Sequence, residues 1–349
     1  MDDDLTLGVL VPTGQAQYGA GTGARALIDF GISAEQLGFG SLFVNDSLIS
    51  PRIEALTMLS ALAAVTQRVR LGTGALLPFL RRPVQAAQAL ASIDVLSSGR
   101  LTVAVGAGFP GRFGRPFYTL SDVPWERRFD RLDETVALWR QLWTHDGPSS
   151  FHGEILHLDD VPSATSPFRA GGPPVWLAGA TPAALARTGR LYDGWLPYPP
   201  DPADYRSGLH EISRAAAEAG REAGLVTPAL FVTARIDATA TAGREALERY
   251  ARATYGMPLD AVQSIQAVVT GDRDQVAERL AAYVSAGARH LVIRIAALDL
   301  PSQREQLDRF ADLSALLPLA GRQRVVRPTV ARDGGDTLPA PSRAWTRTV

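Results

Sequence analysis

The chain has 349 residues, 46% of them hydrophobic and 20% charged, and a formal net charge of −1, so it is a globular chain with a full core and no basic surface for nucleic acid. It has no Cys, and all 35 of its basic residues are Arg, which excludes disulfides, iron–sulfur clusters, thiol nucleophiles and any mechanism that needs a Lys. The acidic start has too short an apolar run for a secretion signal and no run of about 18 apolar residues occurs, so we expect a cytoplasmic protein without a membrane partner.

Short apolar segments alternate with helical patterns along the whole chain. Eight of these segments are rich in Val, Leu and Ile and are apolar on both faces, as is typical of buried parallel strands. The predicted strands are Leu5–Val11, Ser41–Val44, Val69–Leu77, Leu101–Ala107, Val175–Gly179, Gly194–Pro197, Leu230–Ile236 and His290–Ile295.

The helical patterns fall between these strands and after the last one. The predicted helices are Ala24–Leu37, Glu54–Thr66, Pro83–Leu96, Trp125–Trp143, Pro182–Arg190, Tyr205–Ala219, Arg244–Thr254, Gln275–Ala286 and Pro301–Leu316. The alternation predicts an α/β fold, a (β/α)8 TIM barrel. Two stretches are too long for simple loops, so we predict insertions after strand 4 (Phe109–Pro124) and after helix 4 (Gly147–Pro174).

Both insertions are expected at the carboxyl ends of the strands, with Gly114 in the first and Pro167 in the second. We predict a single barrel domain over residues 1–320. Residues 321–349 are rich in Arg, Pro, Thr and Gly without periodicity, which predicts a disordered tail; an arm that wraps a partner is the alternative.

The fourth predicted strand ends in "VGAGFPGRFG", in which Gly106, Gly108 and Gly111 spell G-x-G-x-x-G. A dinucleotide-binding turn needs a helix that begins inside the glycines and an acidic residue at the end of the next strand. Here no helix begins before about Trp125, and Glu126 lies in that helix. Glycines at strand ends also let a flat ring approach the backbone closely, which we favour because "LGTGALLP" and "VWLAGATP" end two other strands similarly. Ordinary tight turns are the remaining alternative.

Five segments, in order, give the chain a resemblance to the bacterial luciferase-like flavin-dependent oxidoreductases over roughly Leu5 to Leu317. The segments are "AEQLGFGSLFVNDSL", "LSALAAVTQRVRLGTGALLPFLRRPVQAAQALASIDVLSSGRLTVAVGAG", "RRFDRLDETVALWRQLW", "PPVWLAGATPAALARTGRLYDGWLP" and "VAERLAAYVSAGARHLVIRI".

The resemblance implies a barrel that holds reduced FMN, or alternatively the deazaflavin coenzyme F-420, above the strand ends. It implies a non-prolyl cis peptide at Gly74–Ala75 behind the flavin ring. It also implies phosphate binding by the turn before the helix that begins at Pro182, whose N-terminus favours an anion; for Thr181 a plain helix cap is the alternative. The implied cofactor-binding residues are Asn45, Asp46, Gly74, Ala75, Ala107, Gly108, Gly179, Ala180 and Thr181.

The catalytic residue is left open, because two groups common in the family are absent. The His that often follows the Asp at the end of the second strand is replaced by Ser47, and the Glu that follows "GxG" in one deazaflavin branch is replaced by Phe109. The candidates are Asp46, Ser47 and His152, although His152 is also interpretable as an exposed polar residue. No metal is expected, since the five His lack metal-binding spacing.

Three further side chains carry open alternatives. Arg128 is expected to form an ion pair with Asp133 or Glu134, or else to contact an anionic substrate or a flavin tail. Trp195 and Tyr198 are expected to wall a substrate pocket, or, in the case of Trp195, to pack in the core.

Three functions follow from the resemblance. The first is a monooxygenase that uses reduced FMN and O2 on a small organic substrate, with a separate flavin reductase as a candidate partner. The second is a deazaflavin-dependent oxidoreductase that transfers a hydride. The third is a non-catalytic flavin-binding or partner subunit. The resemblance also implies a homodimer, while the substrate is not readable from the sequence.

Overall fold

The computed structural model describes residues 5–48, 50–109, 114–313 and 316–317. The predicted tail, residues 321–349, and Gly111 lie outside the described residues. Eight parallel strands close into a barrel in the order β1-β2-β3-β4-β7-β8-β9-β11, and β11 pairs with β1. They are β1 Thr6–Leu10, β2 Ser41–Val44, β3 Arg70–Leu76, β4 Leu101–Val105, β7 Val175–Leu177, β8 Gly194–Trp195, β9 Thr227–Ile236 and β11 His290–Ile295.

Helices surround this barrel, and three further strands lie outside the closed ring. These strands are β5 Ser149–His152 and β6 His157–Val161, which form an antiparallel hairpin, and β10 Val268–Gly271, which pairs in parallel with the last residues of β9. The α-helices are α1 Gln15–Tyr18, α2 Arg25–Gln36, α3 Ala55–Val65, α4 Pro83–Leu96, α5 Arg115–Leu120, α6 Arg128–Thr144, α7 Pro182–Leu191, α8 Pro202–Glu218, α9 Ala240–Tyr255, α10 Leu259–Gln263, α11 Arg273–Ser285 and α12 Leu300–Leu313. Short 3-10 helices cover Pro78–Leu80 and Ala223–Leu225.

The barrel strands are buried on both faces because alternate side chains point into the lumen and toward the helices. In β11, Val292 belongs to a small inner cluster with Phe43 and Trp176, whereas Leu291 and Ile293 pack in the larger core beneath the helices. No helix within the described ranges has the length and hydropathy needed to cross a membrane.

The predicted (β/α)8 barrel is confirmed, and all eight predicted strands lie in its closed sheet. The alternative of an open dinucleotide-binding sheet around the fourth strand is therefore wrong. The hairpin β5–β6 was not predicted because most residues of its two strands are exposed or half-buried and neither strand carries an apolar run.

The second insertion does not stay at the carboxyl ends of the strands. Its hairpin turn reaches the start of α6, but Phe168 contacts Gly99, and the Arg169 amide donates to Asp94. Gly99 precedes β4, so the expectation that Pro167 lies at the carboxyl end is wrong. The segment runs along α4 to the opposite end of the barrel because the chain must re-enter the sheet there, at the start of β7.

Candidate active site

Residues without bulky side chains form a floor at the carboxyl ends of β3, β4 and β7. The Gly74–Ala75 peptide bond is cis, as predicted, and the register of β3 against β4 shifts between Thr73 and Leu76. A Cβ atom placed on Gly106 would lie 3.8 Å from Cβ of Ala75 and 3.9 Å from Cβ of Ala178. We call Gly74, Ala75, Gly106 and Ala178 the small-residue floor, because none of these four residues has a side chain larger than a methyl group.

Asn45 and Asp46, at the end of β2, hold the adjoining backbone. The Asn45 amide donates to the Gly74 carbonyl at 2.8 Å. Both Asp46 oxygens accept from Arg81, at 2.7 and 3.1 Å, and one also accepts from the Leu77 amide at 2.9 Å. Burial alone would lower the pKa of Arg81, but the hydrogen bonds and negative charge of Asp46, helped by Glu54, raise it. The structure therefore places the candidate Asp46 at the floor in a supporting position, with both oxygens engaged.

Replacing Asp46 by Asn is expected to lower the free energy of unfolding by about 1–3 kcal/mol, because Arg81 loses its bidentate partner and keeps only Glu54 as a carboxylate partner. Urea denaturation at neutral pH measures the loss. The loss of stability in the double variant with Arg81→Gln should be smaller than the sum of the losses in the two single variants, since both substitutions remove the same interaction. Strictly additive losses, or an unchanged denaturation midpoint for Asp46→Asn, would contradict this supporting role.

A cavity of about 700 Å³ adjoins the floor and is lined by Gly106, Ala107 and side chains of α5 and α6. Its wall includes Tyr118, whose ring stacks on Phe79 with centroids 3.7 Å apart and whose hydroxyl donates to the Ala107 carbonyl at 2.9 Å. Burial raises the pKa of Tyr118 to about 12, so this hydroxyl stays protonated at neutral pH. Gly108 has a φ of +78° and packs beside Phe79. This left-handed backbone conformation favours glycine at position 108 of the wall.

Two arginines in the first turn of α6, Arg128 and Arg131, also line the cavity. The Nε atoms of both are buried without a hydrogen-bond partner, and no ion pair within the described ranges includes either residue. Arg128 instead lies over the Trp125 ring, 4.0 Å from its centroid. The predicted ion pair of Arg128 is wrong: Asp133 binds Arg187 and Tyr192, and Glu134 accepts backbone amides of the hairpin turn.

The predicted phosphate turn lies at the rim of the barrel. Gly179 has a φ of +136°, and its carbonyl accepts from the Trp195 indole at 2.7 Å. Ala180 and Thr181 are exposed, and the Thr181 hydroxyl accepts from the Ala184 amide at 3.3 Å. Thr181 is thus the cap of α7, and phosphate binding at this turn stays a prediction.

The remaining candidates are spread more widely. His152 is mostly exposed on the hairpin, bonds Asp159 at 2.7 Å and does not line the cavity. Ser47 follows Asp46 directly and is half-buried. Trp195 is a core residue stacked on Tyr205, whereas Tyr198 packs against the inner cluster of the lumen.

Sequence reasoning missed a group of polar side chains at the barrel mouth. The group lies on the side of the mouth that is formed by β9, β11 and the β2–α3 loop. Its centre is Arg294, which is 7% exposed and lies in β11. Arg52 lies nearby, and Tyr250 and Tyr255 of α9 each act to raise the pKa of both arginines. A charged residue inside the apolar strand "HLVIRI" was the signal available in the sequence.

Comparisons with known proteins give a matching family and several relatives. The model of a family described as luciferase-like monooxygenase matches residues 5–290. The phthiodiolone/phenolphthiodiolone dimycocerosates ketoreductase of Mycobacterium tuberculosis (strain H37Rv) is 33% identical over 220 residues, which are 62% of this chain and only 56% of that protein. The F420-dependent glucose-6-phosphate dehydrogenase of Nakamurella multipartita is 29% identical over 306 residues, covering 77% of this chain and 86% of that one.

The fold has counterparts among solved structures. A structure described as an F420-dependent secondary alcohol dehydrogenase in complex with an F420-acetone adduct has a TM-score of 0.77, with 20% identity over 90% of this chain and 99% of that chain. At this identity the likeness shows the fold alone.

Proposed function

The chain belongs to the luciferase-like monooxygenase family, and on that premise we propose that it is an oxidoreductase that uses the deazaflavin coenzyme F420 to transfer a hydride to or from a small organic substrate. The observation that carries a flavin-type cofactor is the small-residue floor. A flat tricyclic ring needs a surface without side chains, and at Gly106 a Cβ would stand in that place. The residues present therefore fit the ring.

The choice of deazaflavin over FMN rests on the charge of the adjoining cavity. A deazaflavin trails an acidic tail, and Arg128 and Arg131 supply two cations without carboxylate partners among the described residues. Guanidinium groups bind carboxylates and phosphates through charge-assisted hydrogen bonds. The curated relatives that match over most of their length carry F420 in their names, which supports the same choice.

When bound, the deazaflavin would supply the hydride chemistry, and the chain would position it. In this proposal Asn45 fixes the Gly74 carbonyl, so that the floor keeps its shape under the ring. The rim amides from Gly179 to Thr181 and the start of α7 favour a phosphate group. Tyr118 keeps its proton and stabilises the cavity wall through Ala107.

The test is a titration of the full-length chain with F420, FMN and reduced FMN, followed by fluorescence or calorimetry. F420 is expected to bind at least about tenfold more tightly than either form of FMN, equivalent to about 1.4 kcal/mol. Arg128→Gln and Arg131→Gln should each weaken F420 binding by about tenfold, since a hydrogen bond to a charged group contributes about 1.5–3 kcal/mol.

The controls separate the tail from the ring. The tail-free deazaflavin chromophore should bind both arginine variants as it binds the unaltered chain. Arg140→Gln should leave F420 binding unchanged, because Arg140 pairs with Asp193 and lies outside the cavity lining. Tighter binding of reduced FMN, with substrate-dependent O2 consumption, would replace this proposal by the FMN monooxygenase; binding of neither cofactor would contradict an oxidoreductase.

A further inference from the structure

Arg294 is a buried cation held entirely by neutral groups. Its guanidinium donates to the Thr233 hydroxyl at 2.5 and 3.0 Å and to the Gln266 side-chain oxygen at 3.0 Å. The rings of Phe231 and Tyr255 each lie with their centroids 5.1 Å from its Cζ atom. These contacts orient the guanidinium, but none of them carries the negative charge that normally accompanies a buried cation.

A second cation, Arg52, is linked to Arg294 through the side chains of Gln17 and Tyr250. A Cβ atom placed on Gly14 would lie 3.8 Å from Nη2 of Arg52, and the Gly14 amide donates to Gln17. Gln17 in turn donates to the Tyr250 hydroxyl, and the ring centroid of Tyr250 lies 5.8 Å from Cζ of Arg294.

Burial lowers the pKa of Arg52; the Asp46 charge opposes this effect, whereas the positive charge of Arg294 adds to it. Arg52 donates to the Ser50 hydroxyl at 3.1 Å, while its Nε is buried without a partner. The Asp46 carboxylate compensates the charge of Arg52 only weakly, because both of its oxygens are engaged by Arg81.

No ion pair within the described ranges includes Arg52 or Arg294, although other arginines at this end of the barrel are paired. Arg235, for example, binds both oxygens of Asp237, and Arg81 binds Asp46 and Glu54. Two neighbouring cations without a carboxylate partner among the described residues favour one ligand above others, an oxyanion that accepts from both guanidinium groups. The buried Nε of Arg52, which has no hydrogen-bond partner, is one donor that such a ligand can use.

We propose that Arg52 and Arg294 bind an oxyanion group, a carboxylate or a phosphate, of the substrate. The floor and the arginine pair lie at the same mouth, so the cofactor ring and the charged end of the substrate occupy neighbouring parts of it. The assignment of the oxyanion to the substrate rests on the proposed function. The substrate class is thus a small organic acid or phosphate ester, with its reacting carbon held toward the floor.

The experiment uses inorganic phosphate and acetate as probes of the full-length chain, in calorimetry at constant ionic strength set with chloride. We expect millimolar binding of at least one probe, and phosphate against acetate distinguishes the two kinds of oxyanion. Arg52→Gln should weaken this binding at least about tenfold. Arg294→Met should do the same, and if that variant fails to fold, the half-buried Arg52 decides the question alone.

The matched control is Arg235→Gln, which removes an arginine of the same barrel end that already has its carboxylate; probe binding should be unchanged. Repeating the titration with F420 or FMN at saturation separates substrate from cofactor. Unchanged probe affinity supports the proposal, whereas loss of probe binding would show that the arginines serve the phosphate of the cofactor and would overturn it.

Two further outcomes keep this inference distinct from the proposed function. Binding of F420 without any binding of phosphate or acetate would overturn the oxyanion site and leave the proposed function standing. Arg52-dependent probe binding in a chain that binds neither cofactor would support the site and overturn the proposed function.

Discussion

Replacing Gly106 by Val is expected to weaken cofactor binding by at least about tenfold, or about 1.4 kcal/mol, while the chain remains folded. The backbone at Gly106 needs no positive φ, and an added Cβ would meet its neighbours only at 3.8 Å or more. The added Cβ therefore makes only ordinary van der Waals contacts, and we expect the side chain to occupy the surface that the ring requires. Titration with F420 and FMN, together with a thermal melt, measures both effects.

Other glycines serve as controls for this substitution. Gly23→Val should change neither stability nor affinity, because no atom lies within 4 Å of an added Cβ and the residue has no positive φ. Gly108→Val should instead lower the melting temperature, since a φ of +78° is unfavourable for a β-branched residue. A folded Gly106→Val variant with unaltered cofactor affinity would show that the ring does not lie on the small-residue floor.

Replacing Glu35 by Ala is expected to lower the free energy of unfolding by about 3 kcal/mol or more at neutral pH. The Glu35 carboxylate, on α2, accepts the amides of Gln67, Arg68 and Val69 at 2.7–3.2 Å. These amides belong to the turn that starts β3; that of Val69 is buried, and those of Gln67 and Arg68 are partly buried. A buried donor left without a partner costs about 1–3 kcal/mol, and the two partly buried amides add to that loss. Chemical denaturation measures the loss.

The same carboxylate predicts a pH dependence. Burial alone would raise the pKa of Glu35, but hydrogen bonds from the amides of Val69, Arg68 and Gln67 outweigh it and hold the pKa below the ordinary 4.5. The stabilisation is therefore complete above about pH 4.5 and is lost as the pH falls through the lower folded-state pKa. Glu35→Gln should remove this part of the acid dependence. An acid transition that is identical in the unaltered chain and in Glu35→Gln would contradict the assignment.

Much of the fold could be predicted because it depends on patterns that are local in the chain. A parallel strand buried on both faces needs a short run of apolar residues, and segments such as Leu101–Val105 show it directly. Helix α4 was predicted at the observed bounds because Pro83 opens it and the turn at Gly99 follows it. The sequence also pointed to the strand ends at which Gly74 and Gly106 lie, because glycine lets a ring approach the backbone closely; that a ring binds there stays a prediction.

The sequence by itself thus determined the barrel and its eight strands, and it pointed to the strand ends at which the candidate site lies. Only the tertiary structure decided how the charged side chains pair. Asp46 meets Arg81 rather than acting alone, Asp133 meets Arg187 rather than Arg128, and Arg294 has no carboxylate at all among the described residues. The physical reason is that ion pairing depends on distances between residues far apart in the chain, which the closure of the barrel sets and which no local pattern records.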